Sequence, residues 1–157
     1  MSNNELNRVL DELALVSKQL GYQVYPGYIG EQPRYDFGRS IGQDLHDFWT
    51  QYLEFVSTMD GFNIDGFSFY GVKSYHGEHN CLLVFNDELK GIDDGVIPGL
   101  ILIGTTGTDW FVFNTFKQTW ECRDRIAIDD IYESYADLSG LLNSVTERIK
   151  AANDINS

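Results

Sequence analysis

The stretch LHDFWTQYLEFVSTMDGFNIDGFSFYGV at residues 45–72 decides the fold. In its first half Leu45, Phe48, Trp49, Tyr52, Leu53, Phe55, Val56 and Met59 recur at spacings of three and four, the period of one helical face. The periodicity predicts a helix over 43–59. Asp60-Gly61 follows, and Gly61 suits the left-handed C-cap that stops a helix. Phe67, Phe69 and the alternating Ser68 and Tyr70 then change the period to two, which predicts a strand over about 66–72. So aromatic a helix needs a sheet to cover it, and the remaining chain is expected to supply that sheet and further helices.

Downstream, KSYHGEHN at 73–80 reads as a polar turn. Cys81–Phe85 fits either a short strand or a helical turn, and Asn86–Gly99 is an acidic, turn-rich segment. Leu100–Ile103 is a continuous apolar run that predicts a strand, Gly107 marks a turn, and Trp110–Phe113 predicts the next strand. Thr119–Cys122 predicts another, which Arg125–Ile128 extends. The short connections predict an antiparallel meander of about four to five strands. Ser134 with Asp137 three residues on has capping-box spacing, and Leu138, Leu141, Leu142, Val145 and Ile149 form the apolar face of a last helix. The tail from about 151 is polar and expected to fray.

Upstream, Leu6, Val9, Leu10, Leu13, Val16 and Leu20 make an apolar stripe that predicts a helix over 4–20 ending at Gly21. Residues 22–43 hold Pro26, Pro33 and four glycines among several tyrosines and Phe37, which reads as a loop pinned to the core by aromatic anchors. The expected fold is α+β: one domain over 1–157 with N-terminal helices and a C-terminal helix on an antiparallel sheet.

An apolar share of 43% places this chain of 157 residues among folded globules large enough for a real core. No apolar run approaches the roughly 18–20 residues of a membrane span. The opening MSNNELNRVLDEL has neither the basic start nor the apolar centre of a secretory signal, so a cytoplasmic protein is expected. Eleven basic residues face 24 acidic ones, a net charge of −13. That balance argues against nucleic acid and anionic membranes as partners and favours a basic protein, whose encounter rate it would raise.

Motifs for chemistry are weak. HGEHNC at 76–81 gathers His76, Glu78, His79 and Cys81 but is not HExxH, and a turn gives metal ligands no rigid frame. GTTGTD at 104–109 lacks the lysine of a phosphate-binding loop and leads into a strand, so a hairpin turn is expected. Asp60, Asn63 and Asp65 do not match an EF-hand and read as helix-stop and turn residues. His46, between Asp44 and Asp47, reads as a partly exposed structural histidine. Cys81 and Cys122 form no metal spacing; reduced thiols are expected, and a disulfide is compatible with the sequence. These residues give no reason to assign an enzyme or a cofactor.

Three stretches together resemble the SUKH superfamily of Smi/Knr-like immunity proteins, most nearly its YrhA-like branch. They are YLEFVSTMDGFNIDGFSFYG at 52–71, LILIGTTGTDWFVFN at 100–114 and ESYADLSGLL at 133–142, in the family's order. Gly42-Gln43-Asp44 stands where the family often has a Leu-Pro entry to its second helix. The resemblance implies a non-enzymatic, cytoplasmic, protein-binding domain. Its implied partner is a cognate bacterial polymorphic toxin, often a basic one, neutralised by occlusion of its active site.

Charge density, not the resemblance, selects the candidate toxin-binding residues. Residues 78–157 carry 14 acids against 6 basic residues, clustered at Asp87, Glu88, Asp93 and Asp94 and again at Asp124, Asp129, Asp130 and Glu133. Phe85 and Tyr132 lie beside them as candidate anchors. The competing reading is a small metal-dependent hydrolase or small-molecule binder using the 76–81 loop; an aromatic-lined pocket from residues 22–37 would favour small-molecule binding.

Overall fold

The computed structural model describes residues 2–38, 41–73, 81–89 and 98–155. Its elements are α1 (Ser2–Gln19), α2 (His46–Thr58), β1 (Phe62–Ile64), β2 (Phe67–Phe69), α3 (Leu82–Leu89), β3 (Leu100–Thr105), β4 (Asp109–Asn114), β5 (Thr119–Asp124), β6 (Ile131–Tyr135) and α4 (Leu138–Ala152). The six strands form one antiparallel sheet in chain order β1-β2-β3-β4-β5-β6. The architecture is therefore α+β with an antiparallel meander, of six strands instead of four to five.

The strands that the sequence did not mark are β1 and β6. Asp65 and Gly66 both have positive φ (51° and 83°) between the paired residues Ile64 and Phe67, a two-residue hairpin of the type I′ kind. Asp-Gly is the residue pair that such a turn demands. Phe62–Ile64 is too short to set a period of two, so its sequence reads as the break after the helix. Gly61 is not the helix C-cap: α2 ends on Met59 in extended conformation, and the positive φ of 80° comes two residues later at Gly61. Gly21 does stop α1, with Tyr22 N–H donating to Ser17 O (2.9 Å) and Gly21 N–H to Lys18 O (3.1 Å).

Three more differences lie around the last strands. Arg125–Ile128 does not extend β5; Asp124 Oδ1 accepts from the N–H groups of Ile126 (2.7 Å) and Ala127 (2.8 Å) and turns the chain. Ser134 is no helix cap but pairs with Glu121 inside β6. α4 begins at Leu138, whose N–H donates to Gln51 Oε1 of α2 at 2.7 Å, a cap borrowed from another helix. As far as residue 155 the tail is held: Ile155 N–H donates to Lys150 O (2.9 Å) and its side chain packs against the core.

Register assigns the faces. Ile101, Phe111, Phe113, Trp120 and Cys122 point to one side, where α2 and α4 cover them and α1 packs on both helices. Phe48 of α2 sits within 5.7 Å of the rings of Tyr52, Phe113 and Trp120. Tyr25 and Phe37 are buried, and Phe37 packs against Phe48 and Trp49, so the 22–43 segment is pinned by aromatics as expected. Leu102, Val112, Trp110, Glu121 and Arg123 point to the opposite, outer face.

Candidate functional site

The outer face carries the candidate site, and α3 shapes it. β2 ends at Phe69, which leaves the backbone of Leu102 in β3 without a strand partner on that side. Asn86 takes the partner's place: its Nδ2 donates to Leu102 O (2.8 Å) and its Oδ1 accepts from Leu102 N–H (3.0 Å). A buried amide that matches both backbone groups leaves neither unpaired. Residues 86–89 are thus helix, not turn. In the ambiguous 81–85 run Cys81 makes a single bridge to Gly71 while 82–85 are helix, because Leu82 is driven into the core and Asn86 onto the sheet one turn later.

Between α3 and the strands lies an open groove of about 570 Å³, lined by aromatic Tyr70, Phe85 and Trp110 and by polar groups including Glu88, Thr105 and Arg125. Tyr70 and Phe85 stack nearly parallel with centroids 4.3 Å apart. Arg125 is held toward the groove by donation from its Nη1 to Thr106 O (2.8 Å). Burial pushes the Tyr70 phenol upward; a hydrogen bond with Thr105 and the Arg125 charge pull it down, and Glu88 adds to the rise. These groups offer stacking surface, one negative and one positive charge, and hydroxyls, a surface for binding.

The acidic candidates separate into two kinds. Glu88 is exposed on α3 and lines the groove, and Asp129 and Asp130 are exposed in the β5–β6 connection that begins with Arg125. Asp87 accepts from Tyr35 Oη at 3.2 Å and ties α3 to the long loop. Glu133 Oε1 accepts from Ser144 (2.7 Å) and Tyr135 (2.9 Å), linking β6 to α4. Asp124 holds the β5–β6 turn. Asp93 and Asp94 lie outside the described residues, as do His76, Glu78 and His79. Of the anchors, Phe85 lines the groove and Tyr132 stands exposed on β6.

Asp124 also accepts a hydrogen bond from the Tyr132 hydroxyl. That bond, with the N–H groups of Ala127 and Ile126, holds its carboxyl below the ordinary range and pushes Tyr132 up to about 12. A depressed carboxylate stabilises the fold above its unfolded pKa, and the contribution disappears as pH falls through the folded value. Tyr132→Phe is expected to raise the Asp124 pKa toward the ordinary carboxylate range in a carboxyl NMR titration. An unchanged titration would assign the whole depression to the backbone donors.

Among the described residues, no group of three His, Cys, Asp or Glu side chains could hold a metal. Cys81 and Cys122 are both free; Cys81 donates to Val72 O (3.3 Å), and burial pushes Cys122 up to about 12. Asp60 is buried and accepts from Val72 N–H (2.6 Å) and Lys73 N–H (3.1 Å), while Thr106 Oγ1 accepts from the N–H groups of Thr108 and Asp109 in a hairpin turn. His46 is exposed beside a second hollow of about 410 Å³, to which the 22–37 loop contributes Gln32 and none of its aromatics. No described helix is long and apolar enough to cross a membrane. The sequence reading missed Asn86, Trp110 and Arg125 as shapers of the groove, since it takes the docking of α3 on β3, the face of β4 and the turn after β5 together to bring them to one place. No family model matches the chain, and the comparisons with curated proteins and with solved structures also find no match.

Proposed function

We propose that this is a cytoplasmic, non-enzymatic SUKH-like immunity domain that binds a basic bacterial polymorphic toxin and occludes its active site. The observation that carries this reading is the outer surface: exposed Glu88, Asp129 and Asp130 lie on the two segments, α3 and the β5–β6 connection, that border a groove with aromatic walls. The net charge of −13 supports it, because an acidic surface steers a basic partner while a few desolvated aromatics supply affinity. The toxin's substrate channel would be covered by this surface. The resemblance at 52–71, 100–114 and 133–142 supports the same reading.

Co-expression with the product of the adjacent upstream gene tests it. The two proteins are expected to co-purify, the partner's toxicity to be suppressed, and the association rate to fall as salt rises. A neighbour that is not toxic, or one that neither binds nor is suppressed, would end the immunity reading.

A further inference from the structure

We infer that the free edge of β6 receives an extended, basic segment of the protein partner as a seventh strand. β6 closes the strand order, and among the described residues nothing pairs with its outer side. An unpaired edge presents a row of N–H and C=O groups that a further strand can complete. Natural sheets guard such edges with lysine, proline, other charges or bulges. IYESY at 131–135 has no lysine or proline, and its guards are the acidic Glu133 and a register shift against β5 near Arg123. A basic strand can meet that acidic guard, where an acidic one is repelled. The other edge is less suited: β1 has three residues.

The surroundings select the occupant. Ile126 is 95% exposed, Ile131 42% and Tyr132 55%, a concentration of apolar surface at one end of the β5–β6 hairpin. Register puts Ile131 and Ser134 on the outer face, opposite Arg123 and Glu121, and Glu133 and Tyr135 on the helix face. An added strand would therefore lay apolar side chains beside Ile131 and basic ones beside Glu133. Residues 124–137 hold five acids, Asp124, Asp129, Asp130, Glu133 and Asp137, against Arg125 alone. A second copy of this chain would bring the same acids against them, so like-charge repulsion disfavours self-pairing and a basic strand is favoured.

This inference rests on the protein-binding reading above and is tested separately from it. The probe is an eight-residue peptide alternating lysine and valine, titrated into the full chain, with the glutamate–valine peptide as control. Amide exchange of residues 131–135 is expected to slow with the lysine peptide, binding to weaken as salt rises, and Asp129→Lys with Asp130→Lys to reduce affinity about tenfold. Three results would overturn the inference: no binding, perturbations that map to the α3 groove and leave β6 unprotected, or a dimer formed through β6 without peptide. If any of these occurs while the upstream gene product still co-purifies, the immunity reading survives and the β6 edge is not its docking site.

Discussion

Phe48→Ala is expected to lower the free energy of unfolding by about 3–5 kcal/mol, the cost of deleting a large buried aromatic and leaving a cavity. Phe48 is fully buried where the long loop, α2 and the sheet meet. Its ring lies 4.9 Å from Trp49, 5.3 Å from Tyr52, 5.4 Å from Phe113, 5.7 Å from Trp120 and 5.9 Å from Phe37. These partners come from three separate parts of the chain, so no single neighbour can move to fill the space. A domain with a stability of roughly 5–15 kcal/mol would lose much of it. Urea unfolding followed by tryptophan fluorescence measures the loss. Phe116→Ala, at a ring 62% exposed, is the matched control and should stay within about 0.5 kcal/mol of the parent. A Phe48→Ala loss below about 1 kcal/mol would show that this cluster is not packed as described.

Glu121→Ala is the second large effect, with an expected loss of about 3–5 kcal/mol. Glu121 is 1% exposed on the outer face of β5. Its Oε1 accepts from Arg123 Nε at 2.8 Å and lies 2.6 Å from Arg123 Nη2, and its Oε2 accepts from Thr119 Oγ1 at 2.8 Å. Removing the carboxylate would leave the buried Arg123 guanidinium without its counter-charge and Thr119 without its acceptor. Arg123 Nη1 also donates to Ile128 O (3.1 Å), so the β5–β6 connection should loosen with it. Replacing both members, Glu121→Met with Arg123→Leu, should recover much of the loss, since apolar pairs often substitute for buried ion pairs with little penalty. A double-mutant cycle reads the coupling. Additive losses would mean that the two side chains do not act as a pair.

The acidic surface was only partly legible before folding. Asp87, Glu88, Asp124, Asp129, Asp130 and Glu133 look equivalent as charges in a string, yet hydrogen bonding divides them. Asp87, Asp124 and Glu133 serve as acceptors for Tyr35, the β5–β6 turn and Ser144, while Glu88, Asp129 and Asp130 face water. Whether a carboxylate meets a hydroxyl from another element depends on residues as far apart as Tyr35 and Asp87. Composition holds no record of that meeting.

By itself the sequence determined α1, α2, α4, the strands β2 to β5 in part, and the antiparallel meander, because periods of 3.6 and 2 follow directly from where side chains point along helices and strands. It also determined the aromatic core, since that much apolar surface at 45–72 must be buried together. Tertiary structure alone decided the short or ambiguous pieces. β1 exists because β2 pairs with it across Asp65-Gly66, β6 forms across the expected start of the last helix because β5 offers it partners, and α3 is helical where Asn86 can meet Leu102. A three- to eight-residue segment carries too little periodic signal to choose its own state, so the backbone groups it must satisfy in its neighbours make the choice.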